Sequence, residues 1–106
     1  MTKRRYKIIT LCGSTKFKDD FIREQERLTL AGNVVLSVGV FGHTDNVSLS
    51  DSMKIMLDDI HKQKINMADE IFVINRNDYI GLSTRNEINY ATVCGKPVRY
   101  MEKHYE

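Results

Sequence analysis

The alternation of apolar runs with amphipathic segments predicts an α/β domain, a doubly wound parallel sheet of about four strands with helices on both faces. Short apolar runs rich in β-branched residues recur, each bounded by glycine or a polar turn. The stretches between them space their apolar residues at helical period. Strand-like and helix-like segments then follow one another in the order βαβαβαβ, which favours parallel pairing through crossovers.

Tyr6 to Cys12 is a short apolar run closed by Gly13, the pattern of a strand buried on both faces. Ser14 and Thr15 supply a helix cap, and Phe17, Phe21, Ile22 and Leu28 share one face of a helix reaching about Ala31. Gly32-Asn33 ends it. Val34 to Phe41 predicts the second strand. Gly42 to Ser50 is polar and turn-like, and a helix follows from about Leu49 to Met67. Glu70 to Asn75 is the clearest strand, and Arg76 to Leu82 a loop. Ser83 to Cys94 predicts the last helix, stopped by Gly95-Lys96-Pro97, and Val98 to Met101 a final short strand. The whole, residues 1–106, reads as one Rossmann-like domain without repeats, linker or low-complexity tract.

Composition narrows the function classes. Hydrophobic content of 42% and charged content of 28% are ordinary for a globular protein. A net charge of +2 is too small to argue for nucleic acid, and Lys3, Arg4 and Arg5 read as a solvated leader. No apolar run reaches membrane-spanning length and the N-terminus has no signal-peptide core, so a cytoplasmic protein is expected. Cys12 and Cys94 lie in apolar stretches and predict buried free thiols. No three residues have metal-ligand spacing along the chain, so neither metal nor cofactor is expected.

In an open parallel sheet, ligands bind beyond the carboxyl ends of the strands. Three loops leave such ends here: Gly13-Ser14-Thr15, Gly42 to Asn46, and Arg76 to Thr84. Two run into helix starts with small hydroxyl residues, each able to cradle a phosphate or carboxylate. The first lacks both the P-loop spacing and the dinucleotide fingerprint. His43 in the second loop is either a ligand contact or a solvated histidine. His61 has Asp58 and Lys62 within one helical turn, which surface pairing also explains.

Glu87, in Gly81-Leu82-Ser83-Thr84-Arg85-Asn86-Glu87, stands out. A helix beginning at Ser83 sets this carboxylate on the first turn, where free N–H groups keep it ionised and aimed over the preceding strand end. That suits a nucleophile or a stabiliser of developing positive charge, as in glycosidic cleavage. Thr84-Arg85-Asn86-Glu87 equally fits a capping box, in which Glu87 only closes the helix start.

Gly13-Ser14, Ala68 to Ile74, Ser83 to Ala91 and Gly95-Lys96-Pro97-Val98 together resemble the nucleoside 2-deoxyribosyltransferase-like superfamily, which includes nucleotide N-glycoside hydrolases. The resemblance spans nearly the full length and is sharpest in the final third. It implies that Glu87 takes the anomeric carbon of a nucleoside or nucleoside 5′-monophosphate, with Gly13-Ser14 against the sugar or its phosphate. It also implies a homodimer or larger homo-oligomer whose subunits complete each other's sites. His61 stands where these enzymes commonly carry an aspartate, and Gly81-Leu82 where many carry a second acid. The leaving-group acid then falls to His61 or Asp78.

The sequence thus predicts Glu87, His61 and Asp78 as catalytic residues, with Gly13, Ser14, Thr15, His43, Gly81, Ser83, Thr84 and Arg85 against the substrate. Tyr90, one turn after Glu87, is placed either to orient its carboxylate or to pack in the core. The rival readings are a nucleotide-binding module with no catalysis and, more weakly, a flavin carrier.

Overall fold

The computed structural model describes residues 5–42 and 45–104. Its sheet is parallel throughout, with strands β1 (Ile8–Gly13), β2 (Val34–Leu36), β3 (Glu70–Ile74) and β4 (Val98–Tyr100) in the spatial order β2-β1-β3-β4. The order reverses between β1 and β3, so the connections leaving these two strands diverge and open a crevice at their carboxyl ends. Helix α1 (Lys18–Leu30) covers one face; α2 (Asp51–Met67) and α3 (Leu82–Val93) cover the other.

The side-chain alternation of β1 divides the core. Ile9 and Leu11 pack with Phe21 and Leu28 of α1 and with Phe72 and Ile74 of β3. Cys12 points the other way, among Ile65, Ile71, Val73, Ile88 and Ala91. Every residue of β3 is buried, as a central strand covered on both faces requires. Glu70 at its start is held by Lys7 at 3.1 Å and Arg99 at 3.2 Å. Asp69 accepts the Ile8 N–H at 2.8 Å, tying the two strand starts together.

Helix ends follow local chemistry. Past α1, Gly32 takes φ 97° and the Asn33 N–H bonds back to the Leu28 carbonyl. Past α3, Gly95 takes φ 74° and the Lys96 N–H returns to the Ala91 carbonyl. Helix α2 starts on Ser50, whose Oγ accepts the Met53 N–H at 3.2 Å.

The structure corrects four expectations. Only Val34–Leu36 of the expected 34–41 strand pairs with β1. The rest leaves the sheet at the carboxyl edge because it must cross to the opposite face to begin α2; Val38 and Phe41 pack against the core instead, half-buried. Phe41 stands edge-on to Phe21, with centroids 5.5 Å apart. Ser14 caps a single 3-10 turn over Thr15–Phe17, its Oγ accepting the Lys16 N–H, and α1 begins only at Lys18. Cys94 is exposed, because it lies where α3 ends rather than on its buried face.

The fourth correction concerns the start of α3. This helix begins at Leu82 on an extended Gly81, with no side-chain cap. Glu87 therefore lies in the second turn, out of reach of the cap position, and the capping box does not form.

Candidate functional site

The crevice at the β1–β3 switch point widens into a cleft of about 730 Å³. Its walls come from the β1 turn, the segment after β2, one side of α2, and the start of α3. At its base the strands approach closely. A Cβ on Gly13 would lie 2.8 Å from the Ile74 carbonyl oxygen, so only glycine lets the chain turn away from β1 here.

Of the residues predicted from sequence, Gly13, Ser14, Thr15, His61, Gly81, Ser83, Thr84 and Glu87 line this cleft together. His43 lies outside the described residues. Arg85 is exposed and does not line the cleft. Nor does Asp78. Its carboxylate accepts from Asn75 at 3.0 Å and pairs with His104 Nδ1 at 2.8 Å, which holds its pKa below the ordinary aspartate value. His104, stacked on Tyr100, belongs to this clamp on the C-terminal segment. Tyr90 donates its hydroxyl proton to Asn66 at 2.8 Å and does not orient Glu87.

Glu87 meets two neighbours that no sequence spacing connects. Its Oε1 is 3.7 Å from His61 Nε2, and that nitrogen is 3.3 Å from Cys12 Sγ. Cys12 arrives from β1, His61 from α2 and Glu87 from α3. The facing ligand atoms all lie within 4.8 Å of one another. The Cys12 and His61 side chains are buried and Glu87 is nearly so, 19% exposed.

Burial dominates the electrostatics of this triad. It lifts the Glu87 pKa to about 7; a hydrogen bond from Cys12 pulls the other way, and the nearby negative charge of Asp58 adds to the rise. Burial likewise lowers His61 to about 4, helped by the positive charge of Lys64. Burial raises the Cys12 thiol well above its ordinary range, and the adjacent Glu87 raises it further. The His61–Glu87 contact is therefore a neutral imidazole facing a carboxyl group, not an ion pair. The expectation that the helix start keeps Glu87 ionised is revised: in the second turn, largely buried and away from the free N–H groups, its pKa rises to about 7.

Around the triad, one stripe of α2 faces the cleft with Lys54, Asp58, His61 and Lys64. Lys64 is engaged, donating to the Ser37 carbonyl at 2.7 Å. Tyr79 closes the opposite wall; the Lys16 ammonium sits 3.4 Å from its ring centroid and Phe17 meets it edge-on. The N–H groups opening α3 receive no side-chain cap and border the cleft through Ser83 and Thr84. Sequence reasoning missed Lys54, Asp58 and Lys64, although their three- and four-residue steps to His61 were readable as one helix face. It also missed Cys12 and Tyr79, for which no local signal existed.

No helix among the described residues is long and apolar enough to cross a membrane. Comparison with known protein families, with curated proteins and with solved structures returns no match for this chain.

Proposed function

We propose that the cleft binds a nucleoside or nucleoside 5′-monophosphate and that Glu87 cleaves, or exchanges the base across, its N-glycosidic bond. The supporting observation is the position of Glu87: a carboxyl group unspent as a helix cap, facing the switch-point cleft beside a buried histidine. A carboxylate restricted to capping would turn back onto the N–H groups of the helix start instead of facing His61.

The cleft volume of about 730 Å³ falls in the range of small-molecule sites. A phosphate finds donors at the uncapped start of α3 and at the Ser14-Thr15 turn, with Lys54 supplying charge. The sugar then lies over Gly13, the one strand end with no side chain to obstruct it. The ionised Glu87 carboxylate attacks the anomeric carbon as the carbon–nitrogen bond to the base breaks, through an oxocarbenium-like transition state. The departing base takes a proton from water held in the cleft by the Asp58 carboxylate, and water or a second base then releases the sugar. Asp58 replaces Asp78 in this role because it lines the cleft. His61, 3.7 Å from the nucleophile, is too close to straddle the scissile bond and instead positions Glu87.

Base release from a panel of ribo- and deoxyribonucleosides and their 5′-monophosphates, followed by chromatography, tests the reading. Wild-type protein should liberate a base and Glu87→Gln should not. No release from any member, with binding of one retained, would leave a nucleotide-binding module. The expected homodimer has its own support in Met53, Met56 and Ile60, exposed apolar residues of α2. Sedimentation equilibrium should show at least two chains per particle.

A further inference from the structure

We propose that Cys12, His61 and Glu87 form a binding site for a single transition-metal ion of the zinc class, with its fourth coordination position open to the cleft. The chemistry of the donors comes first: one sulfur, one imidazole nitrogen and one carboxylate oxygen is a set suited to Zn²⁺ rather than to oxygen-seeking Mg²⁺ or Ca²⁺. The geometry agrees. Zinc–ligand bonds of about 2.0 to 2.3 Å at tetrahedral angles put sulfur and nitrogen about 3.6 Å apart and nitrogen and oxygen about 3.3 Å apart. Here the sulfur–nitrogen distance is 3.3 Å and the nitrogen–oxygen distance 3.7 Å. All three atoms lie within 4.8 Å of one another, so side-chain movement of about 1 Å or less brings the sulfur–oxygen edge to the tetrahedral value as well.

The surroundings fit as well. The donors come from three different elements, and β1 is rigidly held between two strands. His61 and Glu87 line the cleft while Cys12 lies behind them, so an ion would carry its three protein ligands on one side and the open cleft on the other. This is the arrangement of a site that keeps one exchangeable position. Binding is a ligand exchange: the Cys12 S–H bond breaks, its proton goes to solvent, and a sulfur–metal bond forms with no change of oxidation state.

The inference does not rest on the glycosidic reading. If both hold, they couple, because a Glu87 oxygen bound to metal cannot attack carbon. Metal occupancy would then shut off base release, and a chelator would restore it.

Co²⁺ titration of the full chain, freed of metal by chelator, provides the test. One equivalent should produce a sulfur-to-cobalt charge-transfer band and the intense visible bands of four-coordinate cobalt, and Zn²⁺ should bleach both. The charge-transfer band should vanish in Cys12→Ser and persist in Cys94→Ser, whose residue is exposed and remote. His61→Ala and Glu87→Gln should each weaken binding at least tenfold, with circular dichroism confirming the fold. Should Cys12→Ser fail to fold, these two variants carry the test. Absence of the charge-transfer band in the wild type, its survival in Cys12→Ser, or undiminished affinity in both His61→Ala and Glu87→Gln would overturn the proposal. The cobalt spectrum is read without substrate, so a failure of base release leaves this result unaffected.

Discussion

The two faces of the sheet treat charge in opposite ways at the same carboxyl edge. On the α1 side, carboxylates are answered by cations. Asp20 meets Arg23 and Arg76, Glu24 meets Arg27 at 2.7 Å, and Arg76 reaches on to Glu102 at 3.1 Å. On the α2–α3 side, Glu87 is largely buried beside a neutral imidazole and a thiol, with the negative Asp58 nearby. The first arrangement lowers the Asp20 pKa through its hydrogen bond to Arg76, and the second raises that of Glu87 to about 7. One face of the sheet uses charge to join elements. The other holds charge at a cost to stability, which is how reactive sites are commonly built.

Replacing Glu87 breaks this contrast most severely. Glu87→Gln should lower base release by about a thousandfold or more while making the protein more stable. The sign follows from linkage. A carboxyl whose folded pKa is raised from 4.5 to about 7 destabilises the fold progressively across that window and fully above it. Urea titrations in chelator should show the variant more stable by on the order of 2–3 kcal/mol at pH 8, and equal to wild type at pH 4. A variant no more stable than wild type at pH 8 would mean that Glu87 is not held against its burial.

Gly13→Ala strikes the floor shared by both faces. Its added methyl would lie 2.8 Å from the Ile74 carbonyl oxygen, forcing β1 and β3 apart. A loss of about 1–3 kcal/mol is expected by denaturant titration, together with weakened nucleotide binding.

Asp20→Asn sharpens the comparison from the α1 side. A carboxylate with a depressed pKa contributes stability above its unfolded-state value and loses it as pH falls through the folded one. The variant should be less stable than wild type at neutral pH, and the two thermal-unfolding curves should converge below about pH 4. The smallest effect is expected at Asp78, whose carboxylate is committed to Asn75 and His104 outside the cleft. Asp78→Asn should change base release by less than about twofold, whereas Asp58→Asn should slow it at least tenfold.

Much of the backbone was legible from local chemistry. The strand over Ile8–Gly13, the buried strand over Glu70–Ile74, and the glycine stops at Gly32 and Gly95 each rest on short-range patterns that tertiary packing reinforces. The cleft was partly legible too, because parallel topology places Gly13 and the start of α3 at one edge whatever their side chains do. The extent of β2 was not. Val38 to Phe41 look like strand because β-branched and aromatic residues also serve a chain that packs on the core without joining the ladder.

By itself, then, the sequence determined the order of elements, their parallel pairing and the edge at which the cleft opens, since periodicity and turn chemistry act over a few residues. Only the tertiary structure decided what Glu87 is. Its exclusion from the cap, its burial and its contact with Cys12 and His61 come from elements far apart in the chain, with Cys12 and His61 alone separated by 49 residues. Desolvation belongs to the packed whole, and no short stretch of residues encodes it. For that reason a carboxylate that reads in sequence as an ionised group at a helix start, nucleophile or cap, becomes, once folded, a largely buried group whose pKa rises to about 7, in a sulfur–nitrogen–oxygen triad.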